Sequence, residues 1–235
     1  MIPILVFTQD IIKSIVASMI SSGTIDSISS VDNVYTILCS DTGNLKDYFK
    51  VKIGDDYYRV SDLSENKSFK ITTTTNISAE VEWAMYINYY PGSLVEYSEY
   101  IQRKTVLNKH LEKFDSIWLM AEDIPENYLN DNISSIYKTA EITMAIVTNT
   151  NKEKTTAERL DDNFKTKIEP LFKLFCEKMF SNSSLIFPMD EPTNIDAHNR
   201  FIYGSEEHAN ILNEITDAKE FKTIIKIKKQ YLKTC

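Results

Sequence analysis

The chain predicts an α+β fold: a mostly antiparallel sheet packed by two or three helices, with a helical insertion and long polar loops. Three observations carry this. The stretch from Ile117 to Lys228 reads as strand, strand, long capped helix, loop and basic strand, in that order. Residues 31–90 are a series of short β-branched and aromatic segments separated by turn chemistry. An amphipathic helix precedes both.

At 235 residues the chain can bury a sizeable core. We read one domain over 1–235, with a β-rich part (1–90), a helical insertion (91–111) and a further module (112–235). Hydrophobic residues make up 43% and charged residues 26%, the balance of a globular protein. The formal net charge of −8 excludes a surface that coats nucleic acid throughout, so any DNA contact has to be local. No apolar run reaches the roughly 18 residues that cross a bilayer. The first residues, Met-Ile-Pro-Ile-Leu-Val-Phe, lack a positive leader and a small-residue cleavage site, so a soluble chain without a targeting segment is expected.

The first helix is expected to open at Thr8 as its cap, with Asp10 in the first turn. Ile11, Ile12, Ile15, Val16, Met19 and Ile20 form its buried stripe, and Gly23 ends it. Strands then follow at Asn33 to Ser40, Tyr48 to Ile53, Tyr57 to Val60, Lys67 to Thr75 and Glu80 to Tyr90, as a meander or small sheet. Asp41-Thr42-Gly43-Asn44 and Gly54-Asp55-Asp56 supply turns. Pro91-Gly92 breaks the pattern. Ser93 to Leu107 reads as a helix, with Ser93 and Glu96 as a capping box.

In the module beyond, Ile117 to Met120 is a short buried strand. In the strand from Tyr137, Ala140, Ile142, Met144 and Ile146 share one face. Thr155 and Glu158 form a second capping box. Leu160, Phe164, Ile168, Leu171, Phe175 and Met179 make a core-facing stripe, and Pro170 predicts a kink near Glu169. Ser181 to Asn213 reads as a long polar loop. The last strand places Phe221, Thr223, Ile225 and Ile227 on one face and Lys222, Ile224, Lys226 and Lys228 on the other.

Catalytic equipment is sparse. Five unclustered glycines exclude a Gly-rich phosphate loop. The three cysteines, Cys39, Cys176 and Cys235, suit neither zinc nor a disulfide framework; reduced thiols are expected, with Cys176 in the core. His198 and His208, near Asp196, Glu206 and Glu207, read as solvated loop histidines in preference to a metal site. Asp217, Glu220 and Lys222 match the carboxylate–lysine element of metal-dependent nucleases, a tripeptide common by chance. Asp161-Asp162 reads as helix surface. Trp118 reads as core. Tyr89, Tyr90, Tyr97 and Tyr100 are candidates for a contact surface, with Arg200 and Tyr203. Lys222, Lys226, Lys228 and Lys229 face either solvent, an acidic neighbour or DNA. No cofactor is expected.

Residues 112–228 also resemble a known group. Phe114-Asp115-Ser116-Ile117-Trp118-Leu119 is similar to a strand in virion proteins of phages that infect Bacteroidetes. Thr156-Ala157-Glu158-Arg159, then Phe164 and Ile168-Glu169-Pro170-Leu171, is similar to their proline-bearing helix. Arg200-Phe201-Ile202-Tyr203-Gly204, Asn210 to Asn213, Asp217-Ala218 and the Lys/Ile strand are similar to their closing segment. The group comprises tail-completion and tail-terminator-like connector ring proteins, including those of crAss-like phages. The resemblance implies a non-enzymatic virion protein made in the host cytoplasm. It implies a homo-oligomeric ring of about six or twelve copies at the head–tail junction, whose heterologous interfaces close by rotation. Its partners would be other copies, the portal, neighbouring connector proteins and, transiently, viral DNA. The insertion at Ser93 to Leu107 and the strand-rich first ninety residues depart from that group. A metal-dependent nuclease and a small adaptor or binding module are the alternatives.

Overall fold

Ile11, Ile12, Ile15, Val16 and Met19 are all buried, and the helix that presents them, α1, spans Ile4–Met19. It begins earlier than the expected cap, and Thr8 is a buried residue within it. Nothing in Ile4-Leu5-Val6-Phe7 breaks a helix, and Pro3 stands just before it in sequence, where a proline suits a helix start. Ile20 escapes the stripe, at 41% exposure, and Gly23 lies in the first strand. The computed structural model describes residues 4–93, 96, 99, 100, 115–120, 137–150, 153–186, 196–203 and 216–228. Most of the expected helical insertion therefore lies outside the described residues. Its Ser93–Glu96 capping box is present, with the Ser93 N–H donating to Glu96 Oε2 at 2.8 Å and the Glu96 N–H to Ser93 Oγ at 3.2 Å.

Eight short strands follow: β1 Ser22–Thr24, β2 Ser27–Val31, β3 Val34–Leu38, β4 Lys50–Ile53, β5 Asp56–Arg59, β6 Ser61–Ser64, β7 Ser68–Thr72 and β8 Glu82–Tyr86. They form two antiparallel sheets, ordered β1-β8-β4-β5 and β2-β3-β7-β6. Only Ile25 and Asp26 separate β1 from β2, and only Val60 separates β5 from β6. Each of these pairs turns a corner, so the sheets share both edges as a flattened barrel instead of the expected meander. Ile37, Phe69 and Ile71 from one sheet and Val51, Ile53, Trp83 and Met85 from the other fill it. Phe69 meets Trp83 edge-on, with centroids 5.4 Å apart. Asp32 and Asn33 both have left-handed φ (49° and 64°), the geometry of the two-residue hairpin joining β2 to β3.

The remaining strands build a larger sheet: β9 Asn88–Gly92, β10 Ser116–Met120, β11 Tyr137–Asn149, β12 Leu185–Ile186, β13 Asp196–Tyr203 and β14 Thr216–Lys228. The order is β12-β14-β11-β10-β9, with β13 also on β14. β11 and β14 pair without interruption over all thirteen residues. The sheet is antiparallel except for β9 beside β10, which is parallel. Two expectations are corrected here. Pro91-Gly92 lies inside β9, because among the described residues β9 pairs with β10 alone and an edge strand tolerates a residue with no N–H. The supposed loop after Ser181 contains β12 and β13, both hydrogen-bonded to β14.

Helix α2 covers residues 156–180 in three pieces: an α turn at Thr156–Arg159, a π-helical stretch at Leu160–Ile168 and an α-helix at Glu169–Phe180. The Thr155–Glu158 capping box opens it. Near Glu169, where a kink is expected, the helix changes from π to α while Ile168 and Glu169 keep right-handed helical φ and ψ. The Glu169 N–H donates to Phe164 O, and Pro170, which has no N–H to give, follows. Phe164, Ile168, Leu171, Phe175 and Met179 are buried. Leu160 is not, because the widened turn buries Arg159 and Asn163. Residues of α1, the barrel, the large sheet and α2 all belong to one continuous apolar cluster.

Candidate interaction surface

Strand β14 carries the candidate surface. Its alternation places Phe221, Thr223 and Ile225 against the helices, where all three are buried and Phe221 meets the rings of Phe172 and Phe175. The other face carries Lys222, exposed, Ile224, 55% exposed, and Lys226, half-buried. Across the ladder Thr143 stands opposite Lys222 and Glu141, exposed, stands opposite Ile224. An apolar side chain between two lysines on an open sheet face results, held by the thirteen-residue antiparallel ladder of β14 with β11. Lys228 closes the strand by its backbone position, and Lys229 lies outside the described residues.

The structure does not gather Asp217, Glu220 and Lys222 at one point. Asp217 faces α2 and is fully buried. Its Oδ2 accepts from Asn163 Nδ2 at 2.7 Å, and Arg159 Nη1 lies 3.8 Å from its Oδ1. Glu220 and Lys222 sit on the opposite face, because residues at odd and even separation alternate across a strand. His198 stands opposite Glu220 in the β13–β14 ladder, while His208, Glu206 and Glu207 lie outside the described residues. Among the described residues no group of three His, Cys, Asp or Glu side chains converges as metal ligands would.

The tyrosines have internal partners. Tyr89 donates its hydroxyl to Gln9 O at 3.3 Å, and burial, helped by Asp10, pushes its phenol pKa well up. Tyr90 and Tyr100 stack with centroids 4.9 Å apart over a small second cluster of Trp118, Ala145, Val147 and Ala218. Tyr100 donates to Asn88 Oδ1 at 3.1 Å, and Trp118 Nε1 to Gly92 O at 2.9 Å. Tyr89, Tyr90 and Tyr100 are each half-buried, and each keeps part of its surface open. Tyr97 lies outside the described residues, and Arg200 and Tyr203 are placed by their backbone in β13.

The two described cysteines offer little reactivity, and Cys235 lies outside the described residues. Cys39 is buried, and burial followed by Asp26 and Asp41 raises its thiol pKa. Cys176 is half-buried instead of core, and burial pushes its thiol up to about 11. A raised thiol keeps little thiolate at neutral pH. Asp161 and Asp162 are exposed helix surface, paired with Lys165 and Lys154.

Sequence reasoning missed the seam between barrel and sheet. Asp115, just before β10, accepts from Arg59 Nη1 of β5 and from Thr148 Oγ1 of β11, the latter at 2.6 Å. Burial alone would push the Asp115 carboxyl up. The charges of Arg59 and Lys50, with the hydrogen bonds from Arg59 and Thr148, outweigh it and hold the carboxyl below its ordinary value. No family model, curated protein or solved structure matches this chain.

Proposed function

We propose that this chain is a structural subunit of a bacteriophage particle. It would form a homo-oligomeric ring of about six or twelve copies at the portal, head–tail connector or tail, around the path of the DNA. The observation that carries this reading is the open face of β14, where Lys222, Ile224 and Lys226 follow one another on a strand paired over thirteen residues with β11. A flat, stiff, mixed apolar and basic strip suits contact with a macromolecule better than capture of a small molecule, which calls for a concave site. The resemblance over residues 112–228 supplies the kind of assembly. A local basic strip on a chain of net charge −8 lets DNA pass without strong retention.

The mass of the purified protein tests this, measured by light scattering or mass photometry with imaging of the particles. Closed rings of one copy number are the expected result. A monomer or dimer at every concentration overturns the ring. Mg²⁺-dependent DNA cleavage that disappears in Glu220→Ala would replace it with an enzymatic function.

A further inference from the structure

The barrel carries a groove of about 660 Å³ across β1, β8 and β4. Val51, Ile53, Trp83 and Met85 are buried inward, so their neighbours Lys52, Glu82 and Ala84 occupy the outward face that the groove follows. Glu80 and Glu82 flank Val81, which is 67% exposed, and Lys52 lines the same space. A second patch lies on the large sheet, where Lys222 is exposed, Ile224 is 55% exposed and Glu141 stands opposite Ile224. Among the described residues, the side chains of Lys52, Glu80, Glu82, Glu141 and Lys222 take part in no ion pair or hydrogen bond. Each patch thus sets an uncovered aliphatic side chain among charges that the chain itself leaves unanswered.

The two patches complement one another. The groove offers two carboxylates, one ammonium and Val81; the β14 face offers Lys222, the Glu141 carboxylate and Ile224. Lys222 answers Glu80 and Glu82, Glu141 answers Lys52, and Ile224 answers Val81. DNA suits the β14 face less well, because the Glu141 carboxylate repels phosphate and Ile224 finds no apolar partner on a sugar–phosphate backbone. A head-to-tail contact between copies needs two different patches on every copy, each fitting the other, and here they lie on different sheets. Exposed ion pairs contribute little singly, so these charges select the partner and its register while the apolar contact excludes water.

We propose that the open face of β14 in one copy docks onto the barrel groove of the next, with Lys222 against Glu80 and Glu82 and Ile224 against Val81. The contact is heterologous and repeats from copy to copy. It rests on the assembly proposed above and names the two faces through which its copies meet.

The test is charge reversal in the full chain, with assembly read by mass photometry over a concentration series. Glu82→Lys and Lys222→Glu each set like charges across the contact and should raise the apparent dissociation constant about tenfold or more. The two changes combined restore opposite charges and should return it to within about threefold of wild type. Single variants that assemble like wild type overturn this contact and leave the ring standing, as does a double variant no better than the singles. A wild type that stays monomeric at every concentration overturns the ring and this contact with it. Duplex DNA that wild type retains and Lys222→Glu loses at unchanged mass gives the β14 face to DNA, which also overturns the contact. Should a variant fail to fold, carbodiimide crosslinking of wild type assembled from unlabelled and isotope-labelled copies decides. A link from Lys222 to Glu80 or Glu82 that joins a light copy to a heavy one supports the contact, and its absence from assembled protein overturns it.

Discussion

Asp115 shows what one side chain does here. Its φ of 55° is left-handed, a conformation that aspartate tolerates better than most residues. It ties Arg59 of the barrel to Thr148 of the large sheet. Replacing it by asparagine removes the charge that Arg59 needs. The expected loss at neutral pH is roughly 1–3 kcal/mol. That is less than for a fully buried pair, since the Arg59 side chain keeps 28% of its surface in water. The pH dependence follows from the direction of the shift. The folded carboxyl has a lower pKa than the unfolded one, so its stabilisation is complete above the unfolded value of about 3.9. It is lost as pH falls through the folded value. Urea denaturation at a series of pH values should therefore show wild type and Asp115→Asn drawing together across that acid window. A constant gap between them would show that the charge of Asp115 has no part in stability. This residue was not legible in the sequence, because Arg59 lies 56 positions away and only the packed fold brings it near.

At the scale of elements, strand alternation makes the sharpest contrast in neighbouring residues. Ile225 is fully buried against the helices, and Ile224 is 55% exposed on the lysine face. Ile225→Ala should cost about 2–5 kcal/mol, and Ile224→Ala should stay within about 0.5 kcal/mol. Equal losses in denaturant melts would mean that something covers both faces of β14, as an assembled ring would at that surface. This alternation was legible because a period of two is written in the residue types themselves. So were both capping boxes, whose partners sit three residues apart. Other elements depended on partners the local sequence does not name. β9 holds Pro91 only because β10, more than twenty residues on, accepts it as a parallel edge. β12 has two residues and exists through β14. β2 reads Ser-Ile-Ser-Ser-Val, with little apolar alternation, and is set by its hairpin to β3. The π-helical stretch widens the turn and rotates Leu160 out of a stripe that ordinary helical spacing had placed inward. The candidate surface divides the same way. The shared face of Lys222, Ile224 and Lys226 could be read from spacing, whereas the contacts of Tyr89, Tyr90 and Tyr100 with Gln9, Asn88 and Trp118 depend on the packed fold.

Over the whole molecule, the question is whether barrel and sheet stand or fall together. Among the described residues, a shared core and an ion pair join them. One apolar cluster runs from Ile37 and Phe69 in the barrel through α1 to Phe175 and Phe221 under the sheet. The Arg59–Asp115 pair bridges the same seam. A shared core makes separation expensive, because either part alone would expose apolar surface that the other now covers. The chain carries a reporter in each part: Trp83 inside the barrel and Trp118 in the large sheet. Trp83→Phe is the gentler change, since Trp83 Nε1 finds no hydrogen-bond partner among the described residues, while Trp118→Phe gives up the bond to Gly92 O. Each single-tryptophan variant then reports one part by fluorescence. With one cooperative unit, the unfolding curve followed in each variant should coincide with that variant's own circular-dichroism curve, at any shift the substitution itself causes. Adding Asp115→Asn should lower both midpoints together, because the pair it breaks belongs to both parts. A barrel signal that melts separately from the sheet signal within a variant would show that the common core does not couple them, and that the seam holds two independently folding bodies in contact.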